Sequence, residues 1–411
     1  RDSFQDIKEK MDQENIYLDY AAATPVDQRV LSAMLPYFSE KFYNPSAAYL
    51  PAKHLRGEYE AHKSLLANSI GAKSPDLIIT GGATESINLA FTVLGNIPGH
   101  CLISATEHAA VRESAKHYSS NNFDEVKVSS TGLIDLDDLK QKIREDTVLI
   151  SIALVNNELG TIQPVSEISR LIQEIRQARL RQNNLTPLYL HSDASQAMNL
   201  LDLSVARLGV DLLTINSAKI YGPKGIGALY VARGVKLSPV TFGGGQEMGL
   251  RSGTENVPGL IGFATAAQLA KEHLVSSRRK YQEFATIFKR IIEEKSAIPP
   301  LWLGHPKYQL VNFLPVCFDG LDAERLIFKL EDQGIYLSTG AACAASKGQK
   351  SHVLSAIGLS DREIAGSLRI TFGNQNRLED IKKAANLIAS IVNQEALRLH
   401  LVDQIEEKYA R

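Results

Sequence analysis

The sequence predicts an α/β fold, with a large domain built on a mostly parallel sheet and a smaller α+β domain after it. Short apolar runs alternate with helix-length segments through residues 76–232, as βαβ units require. The pattern changes after about residue 270, where a long charged helix (roughly 266–294) leads to "YQLVNFLPVCF" and "GIYLST". A chain of 411 residues is long enough for two or three domains.

Six apolar runs are predicted to be strands of the large sheet. In chain order they are "DLIIT" (76–80), "CLISA" (101–105), "TVLISIALV" (147–155), "PLYLHSDA" (187–194), "VDLLTI" (210–215) and "GALYVA" (227–232). The segments between them, such as "VSEISRLIQEIRQARL", have helical periodicity. We therefore expect an N-terminal segment, 1–24, that packs on the small domain, a large domain over 25–270, and a small domain over 271–411.

The composition is that of an ordinary globular protein. The chain is 44% hydrophobic and 22% charged, and its formal net charge of -1 gives no overall attraction to nucleic acid or membrane. No apolar run approaches the roughly 20 residues of a membrane span. A polar N-terminus without signal-peptide pattern and only three cysteines favour a cytoplasmic location, while a cleaved targeting segment upstream of Arg1 stays open.

Polar or small residues follow the predicted strands at their carboxyl ends, where open α/β sheets bind ligands. Helix capping explains any one of them taken singly, and the whole set is harder to explain in that way. "TGGATES" adds glycines and a helix N-terminus that suit a phosphate, although it lacks the ending of a Walker A loop. The candidate residues are Thr84, His108, Asn157, Asp193, Gln196 and Lys219.

Lys219 follows one of the apolar strands and precedes a glycine-rich turn. A buried ammonium is costly unless it is paired or neutralised. Enzymes that use pyridoxal 5'-phosphate (PLP) attach the cofactor to a lysine and place an acid at its ring nitrogen, and Asp193 ends a neighbouring strand. The alternative is a structural Lys219–Asp193 ion pair. His108 suits ring stacking or proton movement, and helix capping is its alternative.

The cysteines differ in their surroundings. Cys101 and Cys317 lie in apolar strands and are predicted to be small buried hydrophobic residues. Cys343 lies in "STGAACAASKGQKSH", which indicates an exposed and mildly electropositive loop. That setting suits a nucleophilic thiolate, with an incidental loop cysteine as the alternative.

Nine motifs occur in order over nearly the whole chain: "YLDYAAATPV", "GGATESINLA", "TEHAAV", "VNNELGTIQPV", "HSDASQA", "KIYGPKGIGALYV", "GGGQEMGLRSGTENV", "STGAACAAS" and "LRITFG". In these motifs the sequence resembles the cysteine desulfurases of the NifS/IscS type, which are class-V aminotransferase relatives of PLP fold-type I. The resemblance implies a seven-stranded sheet, PLP as cofactor, and conversion of L-cysteine to L-alanine with a persulfide on Cys343. It also implies a homodimer and a sulfur-acceptor protein, either an iron–sulfur scaffold or a tRNA-thiolation relay.

The resemblance also implies a role for each site residue. Lys219 would hold PLP and take the substrate Cα proton, Asp193 would pair with the ring nitrogen, and His108 would stack on the ring as a further catalytic residue. Arg369, with Asn157, would bind the substrate carboxylate, which suits a guanidinium. The remaining cofactor contacts would be Asn157 and Gln196 at the ring hydroxyl, and Ala83, Thr84, Asn216, Ser217 and the partner subunit's Thr254 at the phosphate.

The sequence departs from the family pattern at the phosphate site. The family usually has Ser-x-His before the lysine, and this chain has Asn216, Ser217 and Ala218. Tyr49 replaces another family histidine, and Ala344 follows Cys343 where Ser or Thr is usual. Two alternatives follow: a divergent member with little turnover that acts as a binding or relay scaffold, and a related PLP lyase such as selenocysteine lyase. No metal site, nucleic-acid partner or membrane partner is expected.

Overall fold

A computed structural model describes residues 15–339 and 350–401. Its strands are β1 (Ile16–Tyr17), β2 (Leu77–Thr80), β3 (His100–Ser104), β4 (Phe123–Val126), β5 (Thr147–Ser151), β6 (Tyr189–Asp193), β7 (Leu212–Asn216), β8 (Gly227–Val231), β9 (Leu301–Trp302), β10 (Phe313–Cys317), β11 (Ile335–Tyr336), β12 (Ser338–Thr339) and β13 (Ser367–Thr371). Its helices are α1 (Gln28–Met34), α2 (Pro36–Ser39), α3 (Leu50–Ser69), α4 (Ala83–Asn96), α5 (Ala109–Tyr118), α6 (Leu136–Lys142), α7 (Val165–Arg181), α8 (Val205–Leu208), α9 (Val257–Lys295), α10 (Ala323–Glu331), α11 (His352–Ala356), α12 (Asp361–Ala365) and α13 (Leu378–Arg398).

The large sheet has seven strands in the order β2-β8-β7-β6-β5-β3-β4. Strands β7, β6, β5, β3 and β4 run parallel to one another, and β8 pairs antiparallel with both β7 and β2. The predicted fold class, with a mostly parallel seven-stranded sheet, is confirmed. All six apolar runs form strands, and the additional strand is β4.

Helices cover both faces of this sheet, which explains why its strands read as continuous apolar runs. Neighbouring residues of a strand point to opposite faces. Leu149 of β5 packs in one buried cluster with residues of α4, and Ile150 packs in the other cluster with residues of α9. The two cores leave only the ends of the strands open to carry polar side chains.

The last third of the chain forms a second, four-stranded sheet in the order β12-β13-β10-β9. It is antiparallel throughout, as an α+β unit predicts. Helix α9 begins at Val257, where the side chain of Asn256 accepts the Gly259 N–H at 3.0 Å, and it packs against α1, α3 and α13. The expected domain boundary at residue 270 falls inside this helix, and the division of the chain into domains stays a prediction.

The described part of the N-terminal segment, residues 15–24, contacts both parts of the structure. Strand β1 pairs in parallel with β11, and Asp19 forms a bridge with Thr371 at the end of β13. Beyond this bridge, Thr24 donates its hydroxyl to the backbone oxygen of Ala218 at 3.0 Å. The segment therefore reaches the loop that follows β7. No helix in the described parts of the chain is long and apolar enough to cross a membrane.

Candidate active site

The N-terminus of α4 lies against the end of β7. Strand β8 begins at Gly227, whose register partners are Thr80 at the end of β2 and Asn216 at the end of β7. A Cβ atom at Gly227 would lie only 2.8 Å from the carbonyl carbon of Gly82, so this close approach requires glycine. Ala83 and Thr84, the first two residues of α4, therefore lie beside Asn216. The first N–H groups of a helix lack intrahelical acceptors, so they can bind an anion here.

The side chain of Ser217 shows whether a phosphate group would fit at this place. Its side chain is buried, and Ser217 Oγ has no hydrogen-bond partner in the described structure. Asn216 Oδ1 accepts the Ala218 N–H at 3.3 Å, which fixes the turn Ser217–Lys219. Buried hydroxyl groups are normally hydrogen-bonded, and a phosphate oxygen is a suitable acceptor. The residues present therefore fit a phosphorylated cofactor.

Asp193 and Lys219 end neighbouring parallel strands. Asp193 pairs with Thr214 in the register of β6 and β7, and Lys219 follows β7 by one short turn. Ser195 donates both its N–H, at 2.9 Å, and its hydroxyl, at 2.6 Å, to Asp193 Oδ1. Oδ2 takes part in neither bond, and it can accept from a pyridinium N–H. Lys219 Nζ donates to the backbone oxygens of Ala21, at 2.8 Å, and Ala22.

His108 and Gln196 both have clear local roles. His108 is the N-cap of α5, where its Nδ1 accepts the Ala110 N–H at 3.1 Å. The neutral ring therefore carries its hydrogen on Nε2. This is the capping role that the sequence left open, and stacking on a cofactor stays a prediction. Gln196 Nε2 donates to the Ala21 backbone oxygen at 2.9 Å, on the same acceptor as Lys219.

Arg369 contacts Asn157, and a role for these two residues in substrate binding stays a prediction. Its Nη1 donates to the Asn157 backbone oxygen at 3.0 Å, and its Nη2 donates to Asp19 Oδ1 at 2.7 Å. The side chain is 5% exposed, and Nε is buried without a hydrogen-bond partner in the described structure. Asn157 and Asp19 thus hold the guanidinium from two sides, and the Nε N–H group has no acceptor among the described residues.

Thr254 is not brought together with the other predicted site residues within one chain. Cys343 lies outside the described residues. Thr254 is exposed. It lies shortly after Glu247, which bonds to α3. Glu247 accepts hydrogen bonds from Lys63 Nζ and from the Tyr59 hydroxyl, both at 2.7 Å. A role for Thr254 at a partner's phosphate stays a prediction.

The two described thiols are buried and unsuited to nucleophilic attack. Cys101 and Cys317 are both free, and neither is accessible to solvent. Burial raises the pKa of Cys101 well above its usual value and raises the pKa of Cys317 to about 12. Both therefore stay protonated at neutral pH, and the thiolate is the reactive form.

Comparison with known proteins agrees with this geometry. Residues 16–384 match the family Aminotransferase class-V. The chain belongs to the class-V aminotransferase family. Within this family it is 40% identical over 384 residues to cysteine desulfurase IscS 1 of Archaeoglobus fulgidus. The alignment covers 92% of this chain and 96% of that protein.

Solved structures in the class-V aminotransferase family have the same fold. A NifS-like protein superposes with a TM-score of 0.84 at 31% identity, covering 92% of this chain and 99% of that chain. SspA, solved in complex with cysteine, superposes with a TM-score of 0.74 at 34% identity, covering 87% of this chain and 98% of that chain. The recognition of a NifS/IscS-like sequence is confirmed.

Two buried glutamates of this class-V aminotransferase were missed by sequence reasoning. Burial, together with the charge of Asp193, raises the pKa of Glu107 to about 8, and Glu107 Oε1 accepts the Ala153 N–H at 2.7 Å. Burial raises the pKa of Glu158 to about 7. Glu107 precedes His108 in "TEHAAV", and Glu158 follows Asn157 in "VNNELG". Being next to a predicted site residue was the only local sign that either glutamate lies at the site.

Proposed function

We propose that this protein is a PLP-dependent cysteine desulfurase that converts L-cysteine to L-alanine and takes up the sulfur as a persulfide on Cys343. The observation that carries the proposal is the arrangement of Lys219, Asp193 and the N-terminus of α4 at one edge of the large sheet. The names of the curated relatives and the cysteine complex of SspA support cysteine as the substrate.

The cofactor would be held by groups that the fold already orients. Ser217 Oγ and the first N–H groups of α4 would donate to the phosphate, and Asp193 Oδ2 would accept from the ring nitrogen. Lys219 Nζ would form the covalent link and later take the proton from the substrate Cα. When bound, PLP supplies an electron sink for bond changes at that carbon.

Arg369 would bind the carboxylate of L-cysteine. Asp19 is the one carboxylate among its described contacts, its Nε has no hydrogen-bond partner there, and its burial strengthens a charge-assisted hydrogen bond. The Asn157 backbone oxygen holds the guanidinium in place from the other side. Arg369 thus orients the substrate, while the base at Lys219 moves the Cα proton.

Cys343 would then accept the sulfur. Its thiolate attacks the substrate sulfur, so a Cys343 S–S bond forms while the substrate C–S bond breaks. The electron pair of the broken bond stays on the substrate carbon, which takes up a proton to give L-alanine. Only three residues of chain separate Cys343 from Thr339 of β12, and the neighbouring Ser338 pairs with Arg369. The proposed nucleophile therefore closely follows in sequence β12, the strand that pairs with the strand of Arg369.

A second copy of the chain would complete the site. Large apolar side chains are exposed around α2 and the start of α3, among them Phe38 at 60%, Phe42 at 67% and Leu50 at 65%. The rings of Phe42 and Tyr43 stack at 4.7 Å. Clustered exposed apolar groups indicate a surface for a partner protein. We propose a homodimer in which the loop that carries Thr254 reaches the partner's phosphate.

The product persulfide would pass to an acceptor protein in iron–sulfur cluster assembly or tRNA thiolation, in the cytoplasm. The test is to load the purified protein with PLP, add L-cysteine and measure alanine together with the mass of the Cys343 peptide. Equal amounts of alanine and of added sulfur on Cys343 in one turnover are expected. A protein that binds PLP and L-cysteine but makes no alanine contradicts the proposal, and turnover of L-selenocysteine alone indicates a selenocysteine lyase.

A further inference from the structure

The start of α11 is fastened to the large sheet by two contacts that the mechanism above does not use. Ser351 Oγ donates to Glu158 Oε2 at 2.6 Å, and His352 Nε2 donates to the Glu107 backbone oxygen at 2.8 Å. The partners lie 193 and 245 residues away along the chain. Each acceptor belongs to a residue adjacent to a predicted ligand, since Glu107 precedes His108 and Glu158 follows Asn157.

The contact between Ser351 and Glu158 is buried from solvent. Ser351 is 3% exposed and Glu158 is 6% exposed. Val353, Leu354 and Ile357 of the α11 region pack beside it in a small apolar cluster with Leu159. Water therefore has little access to either group, and the hydrogen bond is stronger than it would be at the surface.

Ser351 has two functions at this point. Its Oγ donates to Glu158 and also accepts the Leu354 N–H at 3.0 Å, which makes Ser351 the N-cap of α11. The orientation of the helix start is therefore set by the carboxyl group of Glu158. Asn157, the residue before Glu158, bonds Arg369 through its backbone oxygen. The start of α11 and Arg369 are therefore bonded to two adjacent residues of the chain.

A buried carboxyl group is a costly means of stabilising a helix start. Removing its charge from water opposes the gain from one hydrogen bond, and an apolar pair of similar size would pack at this place without that cost. The carboxyl group instead fixes the position of the Ser351 hydroxyl group, because a hydrogen bond constrains where its donor lies. The chain before Ser351 leads to Cys343 across eight positions.

We propose that Glu158 is a positioning residue for sulfur transfer, which acts through Ser351 to fix the chain after Cys343 relative to Arg369. This inference rests on the proposed function, because it assumes that Cys343 receives the sulfur. Glu158 touches neither substrate nor cofactor in this role. It sets where the segment that carries the thiol ends in relation to the bound substrate.

The test compares Ser351→Ala with Ser360→Ala in the PLP-loaded protein. Both changes remove a serine N-cap from a five-residue helix, but Ser360 is exposed, and within the described residues its hydroxyl group bonds only to Glu363 of its own helix. Two quantities are measured: the affinity for L-cysteine from the cofactor absorbance, and the single-turnover rate of persulfide formation on Cys343 from mass spectrometry. Ser351→Ala should slow persulfide formation about tenfold, a size within the range expected when a buried hydrogen bond is lost.

The same variant should bind L-cysteine with unchanged affinity, and Ser360→Ala should change neither quantity. Ser351→Thr, which keeps the hydroxyl group, should restore the rate. Glu158→Ala gives an independent route, and its effect should not multiply with that of Ser351→Ala, because both remove one contact. These patterns separate positioning from a general loss of stability.

Two outcomes overturn the inference alone: a Ser351→Ala protein that forms persulfide as fast as the parent, or Ser351→Ala and Ser360→Ala proteins that are slowed equally. Multiplicative effects of Ser351→Ala and Glu158→Ala also contradict it. A parent protein that binds PLP and L-cysteine but forms no persulfide overturns the proposed function first. The failures of the two proposals are therefore distinguishable.

Discussion

Lys219 and Gln196 donate hydrogen bonds to the same acceptor, the backbone oxygen of Ala21, at 2.8 and 2.9 Å. The N-terminal segment thus holds the ε-amino group of the proposed cofactor lysine. A covalent link at Nζ removes hydrogens from this group. We therefore expect cofactor loading to loosen the contact between Lys219 and Ala21, while Gln196 keeps its bond.

The first prediction is that PLP attaches to Lys219. Reduction of the loaded protein with borohydride, followed by peptide mapping, should place the label on Lys219, and Lys219→Ala should abolish it. Lys224 is the matched control, because its Nζ also donates to a backbone oxygen of the N-terminal segment, that of Thr24. A label on Lys224 would show that the assignment is wrong.

The second prediction concerns the phosphate. Ser217→Ala should weaken PLP binding by about 1–3 kcal/mol, because it removes a donor to a charged acceptor. Ala218→His should tighten binding by restoring a family donor. Spectroscopic titration of the cofactor-free protein measures both. Unchanged or weaker binding by Ala218→His would mean that Asn216 and Ser217 already fill the phosphate site.

The third prediction separates cofactor binding from sulfur chemistry. Cys343→Ala should still bind PLP and L-cysteine, because neither needs the thiol, and it should release no alanine. Cys101→Ala and Cys317→Ala should keep activity apart from packing losses, since both thiols are buried and protonated. Alanine release by Cys343→Ala at the parent rate would refute the persulfide mechanism.

The fourth prediction is a homodimer. Phe42→Glu places a charge in the exposed apolar cluster, so it should shift the protein toward monomers and weaken PLP binding by removing the partner's Thr254. Light scattering and cofactor titration measure the two effects. Leu185→Glu is the control, because Leu185 is also exposed, at 82%, but lies far along the chain after α7. A parent protein that is an active monomer contradicts the prediction.

The fifth prediction is a pH dependence of stability. Between pH 4.5 and about 8, the unfolded chain ionises Glu107 while the folded protein keeps its proton, so Glu107 lowers stability progressively as pH rises through this window. Glu107→Gln removes this loss, and its stability relative to the parent should rise by about 1.4 kcal/mol for each pH unit within the window. Denaturant unfolding of cofactor-free protein at several pH values measures the slope. A Glu107→Gln protein whose stability relative to the parent is the same at every pH would contradict this prediction.

The sequence predicted the large sheet well because its strands are buried on both faces and read as apolar runs. Strand β4 was missed because "FDEV" has polar residues in its middle and lies at the sheet edge, where burial is partial. Strand β13 was recognised only as the motif around Arg369. Local patterns report the burial of neighbours in sequence. Strand β4 is only partly covered at the sheet edge, and the burial of β13 depends on β10, which lies much earlier in the chain.

The candidate site shows the same limit. Asp193, Lys219 and the start of α4 were predictable because each ends a strand or begins a helix. The ion pair of Asp19 and Arg369 joins residues 350 positions apart, and no local pattern indicates it. Glu158 looked like an ordinary charged loop residue, since its burial comes from the packing of α11.

The pairing of β1 with β11, and of Asp19 with Thr371, has a consequence for biosynthesis. The segment that reaches Lys219 leaves the ribosome before the large sheet, and its strand partners leave the ribosome after that sheet. Contacts of such long sequence separation form late, because a large loop must close before they are gained. We expect nascent chains that end before β13 to lack the ordered N-terminal support of Lys219. Stable capture of the cofactor then belongs to the final stage of synthesis rather than to the stage at which the large sheet is complete.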